Sequence, residues 1–484
     1  MAVAGLAAAD GGFGSTSWGW AAIGLAGVAI AALARRPRVR LCRLEAGFLA
    51  ALAALAGWAA LSALWSRSVP GSILEAQRLL VYVAAAGAFL LSARRGSARG
   101  LLAGVLVAAT AIGVASLVHR AASGDDDSGW PVGYDNGLAI LLALGVAAGV
   151  GLAAEASTPR GRLAAGVPAV VLLAPLATLG SRGAWLSLAI GLGCAAVLRL
   201  AAWPLAFPAA VAAGLAATIV VGVQFNDERA AYWRVAIDEV QSEPALGTGA
   251  GTYGRAWLVE RERPVQAHDA HNLYLETLGE VGPAGLALLA GALAAPIAAA
   301  VSVRRDPLAA AAAAPYAAFL VHAGIDWDWE LASVTVAALA AAAVLLLRAR
   351  PRAPVGTLSP RVRLAATVVA AAIAVAAAGG LVGNTAVARA ESAAADGRWG
   401  EAEARARRAT RLAPWSATAW RLLGEAQLEL GRREDAVRSL RRAVAKDPSD
   451  PEVWLALAHA LRGNERARAV AQALRLNPLG VAAE

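Results

Sequence analysis

The chain has 484 residues, of which 58% are hydrophobic and only 16% are charged, and its mean hydropathy is +0.55. Soluble domains carry about 25% charged residues, so this composition excludes a soluble globular protein and predicts a membrane protein. The formal net charge of +9 comes from arginines that cluster in short loops, which is typical of a polytopic membrane protein rather than of a nucleic-acid-binding surface. The two cysteines, Cys42 and Cys194, match neither a disulfide framework nor a zinc motif.

Apolar runs long enough to cross a bilayer, roughly 17–25 residues each, occur about twelve times along the chain. They predict an all-α polytopic membrane domain over residues 1–384, with one long polar loop at residues 224–271. The predicted spans are 17–34, 47–65, 79–93, 100–118, 137–154, 163–180, 184–200, 205–223, 281–302, 308–324, 331–348 and 363–383.

The distribution of arginine between the connecting loops predicts an orientation. Arginines cluster in alternate connections, beginning with residues 35–43 and ending with residues 348–363. The positive-inside rule places these connections in the cytoplasm, so both termini are expected outside it. The acidic run 125–127, the long loop 224–271 and the loop 326–330 are then also extracytoplasmic.

The composition changes after the last apolar run, because residues from about 385 onward are charged and repeat every 34 positions. Gly397 recurs as Gly431, and Trp420 recurs as Trp454. A 34-residue period with helical patterning is typical of tetratricopeptide repeats, which stack into a concave surface for partners. We therefore predict an extracytoplasmic repeat domain over residues 385–484 rather than a generic helical hairpin.

A polar cluster lies where the long loop meets the next apolar run. It begins with His271 and Asn272 and continues with Glu276 and Glu280. Histidine changes its charge near neutral pH, and polar groups at a membrane boundary are candidates for a functional site. The alternative is an ordinary helix start with Asp269 as N-cap and His271 in the first turn. The spacing alone does not choose between the two interpretations.

Other outer loops carry further candidates. A tight corner at residues 181–183 joins two apolar runs and places Arg182 near the membrane surface. The long loop begins with Asn226 as a predicted N-cap and continues through an amphipathic helix around residues 232–237, which suits a position on the membrane. The segment 244–251, rich in glycine, is predicted to be a flexible turn, and such turns allow the backbone to approach a ligand closely.

Together these segments resemble the O-antigen ligase/polymerase family. The central motif of that family is His, then Asn, Ser or Gln, nine residues, Gly, two residues, and Gly, Thr or Tyr. His271, Asn272, Gly282 and Gly285 match it completely. The similarity extends over most of residues 45–350, with a departure at residues 133–136, where Gly-Tyr-Asp-Asn stands in place of the frequent Gly-Asn-x-Asn. The other matching segments are Trp65-Ser66, Ser181 through Ala184, Arg229 through Arg234, Pro244 with Gly247 through Gly249, and His322 with Asp326 through Glu330.

The resemblance implies a glycosyltransferase of the multi-spanning GT-C type in the bacterial cytoplasmic (inner) membrane. Such enzymes use neither a metal nor a cofactor and move a glycan from undecaprenyl diphosphate to an acceptor hydroxyl on the outer face. The acceptor is left open between the growing glycan, lipid A core and a protein. The expected partners are therefore the lipid-linked glycan, the bilayer and a protein bound by the repeats, and nucleic acid is not expected.

The residue types suit that chemistry. His271 is the predicted general base for the acceptor hydroxyl, and Arg229 and Arg234 are the predicted catalytic cations for the diphosphate leaving group. The remaining polar and aromatic candidates are predicted to bind the substrate. They are Arg182, Asn272, Glu276, Glu280, Asp326, Trp233 and Trp327.

Each assignment has a structural alternative. Arg182 also suits the anchoring of a helix end at the headgroups, Arg229 and Arg234 also suit solvated ion pairs with Glu228 and Asp238, and interfacial tryptophans are usually belt residues. Two other classes of function stay open. One is a polysaccharide transporter or flippase, and the other is a non-catalytic assembly scaffold that acts through its repeats.

Overall fold

The computed structural model describes residues 1–36, 39–123, 129–225, 227–351 and 357–480. Within these ranges the chain is helical and contains no strand, so the predicted all-α class is confirmed. The acidic run 125–127 and the predicted N-cap Asn226 lie outside the described residues. The helices are α1 Ala2–Ala7, α2 Ser15–Arg35, α3 Arg43–Ser62, α4 Val69–Ser92, α5 Ala98–Ser123, α6 Asp135–Glu155, α7 Pro159–Val171, α8 Leu173–Thr178, α9 Arg182–Leu200, α10 Ala206–Phe225, α11 Asp227–Ser242, α12 Tyr253–Glu260, α13 Leu273–Ser302, α14 Pro307–His322, α15 Ala332–Ala349, α16 Pro360–Ala395, α17 Trp399–Leu412, α18 Ala417–Glu429, α19 Arg433–Lys446, α20 Pro451–Ala460 and α21 Gly463–Leu476, with short 3-10 turns at Asp10–Gly12, Arg95–Ser97 and Asp328–Glu330.

The predicted spans coincide with helices. In the described part of the chain, ten helices are long and apolar enough to cross a membrane, and two shorter apolar helices, Ala206–Gly222 and Pro307–His322, stand where the other two spans were expected. The chain is therefore a multi-pass membrane protein.

The centre of the membrane domain is formed by α6, α14 and α15. Most of the apolar window of α6 (78%) and of α15 (89%) is buried inside the protein, and every residue from Leu308 to His322 in α14 is buried. Alanine dominates α14, and its small side chains let neighbouring helices come close. A Cβ atom placed on Gly191 of α9 would lie 2.5 Å from the Ala314 carbonyl oxygen.

Helix α13 consists of two helical segments joined at Gly282, which has φ 67° and ψ −174°. A Cβ atom at this position would lie 2.7 Å from the carbonyl oxygen of Ala245, so both the backbone angle and the close approach require glycine. The predicted span 281–302 corresponds to the second segment. The first segment, residues 273–281, packs beside the long loop and carries Glu276 and Glu280 of the polar cluster.

The repeats continue directly from the last membrane helix. Helix α16 runs unbroken from residue 360 to residue 395, so the expected domain boundary at residues 384–385 falls within a helix. Its end packs on α17, and α18–α19 and α20–α21 form the following helical pairs. Gly397, Gly431 and Gly463 have positive φ in the three successive turns. Gly463 comes earlier than the period predicts, because α20 has only 10 residues.

The repeats dock on the same end of the molecule as the long loop. The Asp447 carboxylate accepts hydrogen bonds from the Ser68 hydroxyl at 2.8 Å and from the Arg255 guanidinium at 3.1 Å. Arg261 in the loop donates to the Asn477 side chain at 2.8 Å. The opposite end gathers arginines from the connections predicted to be cytoplasmic, including Arg36, Arg94, Arg95 and Arg350 around one surface cavity.

Candidate functional site

The start of α13 fixes the position of His271. Asn272 is the N-cap, because its side-chain oxygen accepts the backbone N–H groups of Tyr274 at 3.1 Å and Leu275 at 3.0 Å. The expected alternative with Asp269 as cap is therefore wrong. His271 lies just before the helix in the left-handed region, with φ 56°. This conformation is uncommon for a residue other than glycine, and such backbone strain is concentrated at functional sites.

The His271 ring is held by two contacts. It stacks on Tyr232 with ring centroids 4.7 Å apart and an interplanar angle of 16°. Its Nδ1 atom lies 3.0 Å from the backbone carbonyl oxygen of Asp269. A carbonyl oxygen only accepts hydrogen bonds, so in the neutral ring Nδ1 carries the proton and Nε2 presents a lone pair.

The surroundings of His271 keep this neutral form dominant. Burial lowers the pKa of the imidazole, the neighbouring Arg229 lowers it further, and the opposing effect of Asp326 is smaller, so the pKa falls to about 4. At neutral pH the ring is therefore unprotonated and able to accept a proton.

Asp326 is the hub of the polar network beside His271. Its carboxylate accepts hydrogen bonds from Arg229 at 2.9 Å, Tyr134 at 2.8 Å and Asn136 at 2.9 Å. Burial raises the pKa of Asp326, but the positive charge of Arg229 and the nearby imidazoles of His271 and His322 outweigh that effect, so the pKa lies below its usual value. The charged carboxylate therefore orients Arg229 and joins three loops that are far apart in sequence.

A second imidazole lies next to this network. His322 Nδ1 is 2.8 Å from the Asp328 carboxylate, and both side chains are completely buried. The start of α9 lies against this histidine, because a Cβ atom on Gly183 would lie only 3.2 Å from His322 Nε2. Arg182 immediately precedes that glycine, and its side chain is exposed. The corner at residues 181–183 is thus adjacent to the site.

Arg234 lies apart from Arg229. It forms a 3.2 Å pair with Glu262 in which both side chains are mostly exposed, at 61% and 82%. Arg229 pairs with Asp326, and Arg234 pairs with Glu262. Hence the structure brings only one of the two predicted catalytic arginines into the His271 network.

The amphipathic helix predicted around residues 232–237 is α11, but its apolar face packs inside the protein instead of lying on the membrane. Tyr232, Trp233 and Ala236 form a small core with Tyr253 and Trp257 of the same loop.

Two of the predicted aromatic ligands are largely engaged by protein contacts. The Trp233 ring is only 6% exposed, which leaves little of it for a sugar. Trp327 is partly buried, with Phe13 at 5.4 Å and Tyr134 at 4.6 Å between ring centroids.

Glu280 and Glu276 position the loop through backbone contacts. The Glu280 carboxylate accepts the N–H groups of Gly251, Thr252 and Tyr253 at 2.8–2.9 Å, which fixes the glycine turn that was expected to be flexible. Glu276 accepts the N–H of Ala270 at 2.6 Å, next to His271. These contacts account for both carboxylates without a substrate.

Asp269, Glu276 and Glu330 form a buried group of acids. Their carboxylate oxygens lie within 4.8 Å of one another, a spacing that could hold a cation. Arg78 already pairs with Glu330 and with Glu75. Burial raises the pKa of Asp269 well above its usual value, and the charge of Glu330 raises it further. Burial and the neighbouring acids likewise raise the pKa of Glu276, so the group favours protonation of its carboxyls.

A cleft between α3, α4, α13 and α15 begins within one turn of His271 along α13. It is lined mainly by apolar side chains, with Glu75, Arg78 and Thr277 among its polar lining residues. Glu75 and Arg78 thus pair with each other and also line the cleft.

Two segments of the chain match known families. Residues 167–290 match the O-antigen ligase family, and residues 393–460 match the tetratricopeptide repeat. No curated protein matches the chain. The family resemblance is therefore confirmed, and the match supports a ligase- or polymerase-type, glycosyltransferase-like function. The repeats indicate interaction with a protein, and the ligase family indicates a lipid-linked glycan substrate.

Tyr134 and Asn136 were not among the predicted site residues. Both lie in the segment 133–136, which departs from the family pattern, and they bond to Asp326 across 192 and 190 positions of the chain. Their position in an outer loop was visible in the sequence, but the pairing with Asp326 was not.

Proposed function

We propose that the chain is a glycosyltransferase of the O-antigen ligase or polymerase type, which moves a glycan from undecaprenyl diphosphate to an acceptor hydroxyl on the extracytoplasmic face of the cytoplasmic membrane. The observation that carries the proposal is the neutral His271, whose Nδ1 lies on the Asp269 carbonyl oxygen and whose ring is close enough to the Arg229–Asp326 pair for both charges to act on its pKa. A base and a guanidinium in one place are what glycan transfer from a diphosphate requires.

In the proposed reaction His271 Nε2 removes the proton of the acceptor hydroxyl. The acceptor oxygen forms a bond to the anomeric carbon, and the bond from that carbon to the diphosphate oxygen breaks. Arg229, held by Asp326, stabilises the negative charge that develops on the leaving diphosphate. Arg182 is exposed at the nearby corner and serves as a second phosphate ligand. Arginine supplies the positive charge, so we expect transfer to persist after chelation of divalent metal ions.

The remaining predicted residues receive supporting roles in this proposal. Asn272, Glu276 and Glu280 position the His271 segment and the glycine turn through the backbone contacts described above. The partly apolar cleft beside α13 suits the polyprenyl chain of the donor, because its walls are apolar and it lies within the membrane domain. The repeat domain, which we place at residues 385–484, is proposed to bind a protein partner or acceptor.

The test is glycan analysis of cells that lack the gene and are complemented with wild type, His271→Ala or the control His268→Ala. His268 is exposed in the same loop, three positions away. We expect His271→Ala to reduce transfer by about 10²–10⁴-fold at normal abundance in the membrane, and His268→Ala to restore it. Full complementation by His271→Ala would overturn the proposal.

The product that accumulates in the deletion distinguishes the possible acceptors. Single repeat units on the normal acceptor indicate a polymerase. Full-length glycan left on the carrier lipid indicates a ligase or protein glycosyltransferase, and the missing conjugate then identifies the acceptor.

A further inference from the structure

A second groove lies away from His271, where the membrane helices meet the first repeat. Helix α16 emerges from its apolar stretch near Val382 and continues into the repeats, while α17 folds back against it. A Cβ atom on Gly383 would lie 3.0 Å from the Leu412 carbonyl oxygen, which shows how closely the end of α17 returns to the membrane boundary. The groove lies between α2, α16 and α17.

The two walls of this groove differ in chemistry. The wall towards the membrane is apolar and includes Trp20, Leu381 and Val382, whereas the wall towards the repeats carries Arg389, Arg405 and Arg408. Trp20 is 70% exposed, as expected for a tryptophan at the level of lipid headgroups. The groove therefore has its apolar wall at the level of the hydrocarbon chains and its charged wall at the level of the headgroups, as a lipid leaflet does.

The apolar wall continues into the surface that faces lipid. Val368, Val375 and Val382 of α16 are exposed by 57%, 73% and 48% and recur every seven residues, so they lie on one face of the helix. Arg389 is the next position in this series. It lies about 10 Å above Val382 at 1.5 Å per residue, which is comparable with the headgroup layer of one leaflet, about 5–8 Å.

The basic wall has positive charge that the protein does not neutralise. Arg405 pairs with Glu401 and donates to the Arg389 carbonyl oxygen. The side chains of Arg389 and Arg408 are exposed, and within the described ranges neither has a carboxylate partner. Two guanidinium groups above an apolar track match a phosphate that carries hydrocarbon chains.

We propose that this groove binds one anionic phospholipid from the leaflet on the side of the long loop. The phosphate lies between Arg389 and Arg408, and an acyl chain lies along Leu381, Val382 and Trp20. The bound lipid would join the first repeat to the membrane surface. This inference depends on the position of the groove at the membrane boundary and is independent of the chemistry proposed for His271.

The test is lipid retention by the purified full-length chain, measured by native mass spectrometry with added phosphatidylglycerol, phosphatidylcholine or undecaprenyl phosphate. The variant Arg389→Gln/Arg408→Gln removes the two free guanidinium groups. The control Arg466→Gln/Arg468→Gln removes the same charge from exposed positions on α21. Each arginine near an anionic lipid is worth about fivefold in binding, so we expect phosphatidylglycerol to bind about thirtyfold more weakly to the groove variant.

Wild type and the α21 control should retain one phosphatidylglycerol more firmly than phosphatidylcholine. Equal retention of phosphatidylglycerol by the groove variant and the wild type would overturn the proposal, as would a groove variant that loses undecaprenyl phosphate but keeps phosphatidylglycerol. Because both replaced arginines are exposed, circular dichroism should show unchanged helix content in the variant, so a loss of lipid can be assigned to the groove.

Discussion

The backbone of His271 shows how the motif produces its geometry. Asn272 must cap α13, and the residue before it then takes a left-handed conformation that turns the imidazole onto Tyr232. The consequence is a histidine that is held rigidly and largely buried next to a guanidinium. Its neutral state is therefore a property of the fold that titration can test.

Acidification should destabilise the fold partly through His271. An unfolded histidine has a pKa of about 6.5, whereas the pKa of His271 in the folded chain is about 4. Between these values the unfolded chain binds a proton that the folded chain does not, so stability falls as the pH falls from about 6.5 to about 4. We expect His271→Gln to show a smaller decrease in thermal midpoint over this window than wild type. The exposed control His268→Gln should retain the wild-type slope, and equal slopes for all three chains would contradict the assignment.

Replacing Asp326 should affect transfer through Arg229. In Asp326→Asn the partly buried Arg229 guanidinium loses this charged partner; breaking a fully buried pair costs about 3–5 kcal/mol of stability, so we expect a smaller loss here, and transfer should fall on the order of 10²-fold. The exposed Asp238→Asn on α11 is the control and should behave like wild type.

A double-mutant cycle then separates positioning from general damage. Adding Asp326→Asn to Arg229→Gln should cost little further activity, because Asp326 acts on transfer through the Arg229 guanidinium, which the first change has already removed. Independent, additive losses would show that Asp326 does not act through Arg229.

At the scale of elements, the glycine turn and the break in α13 form one interlocked unit. Gly249 donates its backbone N–H to the Glu280 carbonyl oxygen, and Trp58 donates to the carbonyl oxygen of Val281. Close backbone contact rather than flexibility explains why three glycines occur between residues 247 and 251. The turn thereby holds the first segment of α13 in place.

Gly249→Ala should disrupt this unit, because Gly249 has φ 108° and a Cβ atom there would lie 2.2 Å from Ser66 Oγ. Gly431→Ala is the matched control, since Gly431 also has positive φ but no atom within 4 Å of the added carbon. The control should lose about 1–2 kcal/mol from backbone strain alone, and Gly249→Ala should lose a further 1–3 kcal/mol from overpacking. Thermal unfolding of the two variants measures the difference, and equal losses would contradict the packing argument.

The elements that could be predicted from the sequence are those whose pattern lies within a short stretch of the chain. Each apolar run lies in helical structure, although the run 163–180 is divided between α7 and α8 and α4 begins ten residues before position 79. The 34-residue period identified the repeats, because both signals come from residues close together in the chain. The helix around residues 232–237 was also predicted, but the residues that bury its apolar face were not. Tyr253 and Trp257, which bury it, follow a turn whose path depends on Glu280.

Only part of the site could be predicted, because the sequence shows which residues are close along the chain but not which distant loops meet. His271 and its cap lie in one short motif, so their proximity follows from the sequence. Asp326 meets Tyr134 and Arg229 only because three loops converge, and no periodicity encodes that meeting. Arg234 lies on the same helix as Arg229 and was predicted to have the same role, yet it is on the exposed side of α11 and pairs with Glu262.

At the scale of the whole molecule, the docking of the repeats places them on the same side of the membrane as the loop 224–271. Asp447 is 1% exposed and bonded to Ser68 and to Arg255, which also pairs with Asp450 at 2.9 Å. Buried charges that contact both parts of the chain hold the repeats against the loop 224–271. The loop and the repeats must therefore lie on the same side of the membrane, and the arginine-rich end must lie on the other.

Cysteine labelling in intact cells tests this arrangement. Glu262 in the loop and Glu465 in the last repeat are exposed by 82% and 61%, and Arg305 is exposed at the opposite end. In a background with Cys42→Ser and Cys194→Ser, we expect Glu262→Cys and Glu465→Cys to react with a membrane-impermeant maleimide before permeabilisation. Arg305→Cys should react only afterwards. The removed ion pairs are exposed and contribute about 0–1 kcal/mol, so the fold should persist.

The pattern of labelling distinguishes two errors. If Glu262→Cys and Glu465→Cys label from opposite sides, the docking between Asp447 and Arg255 does not exist in the membrane. If both label only after permeabilisation while Arg305→Cys labels before it, the docking stands but the orientation inferred from arginine is reversed. In that second case His271 would face the cytoplasm, and the outer-face acceptor would have to be abandoned even though the base and guanidinium stayed together.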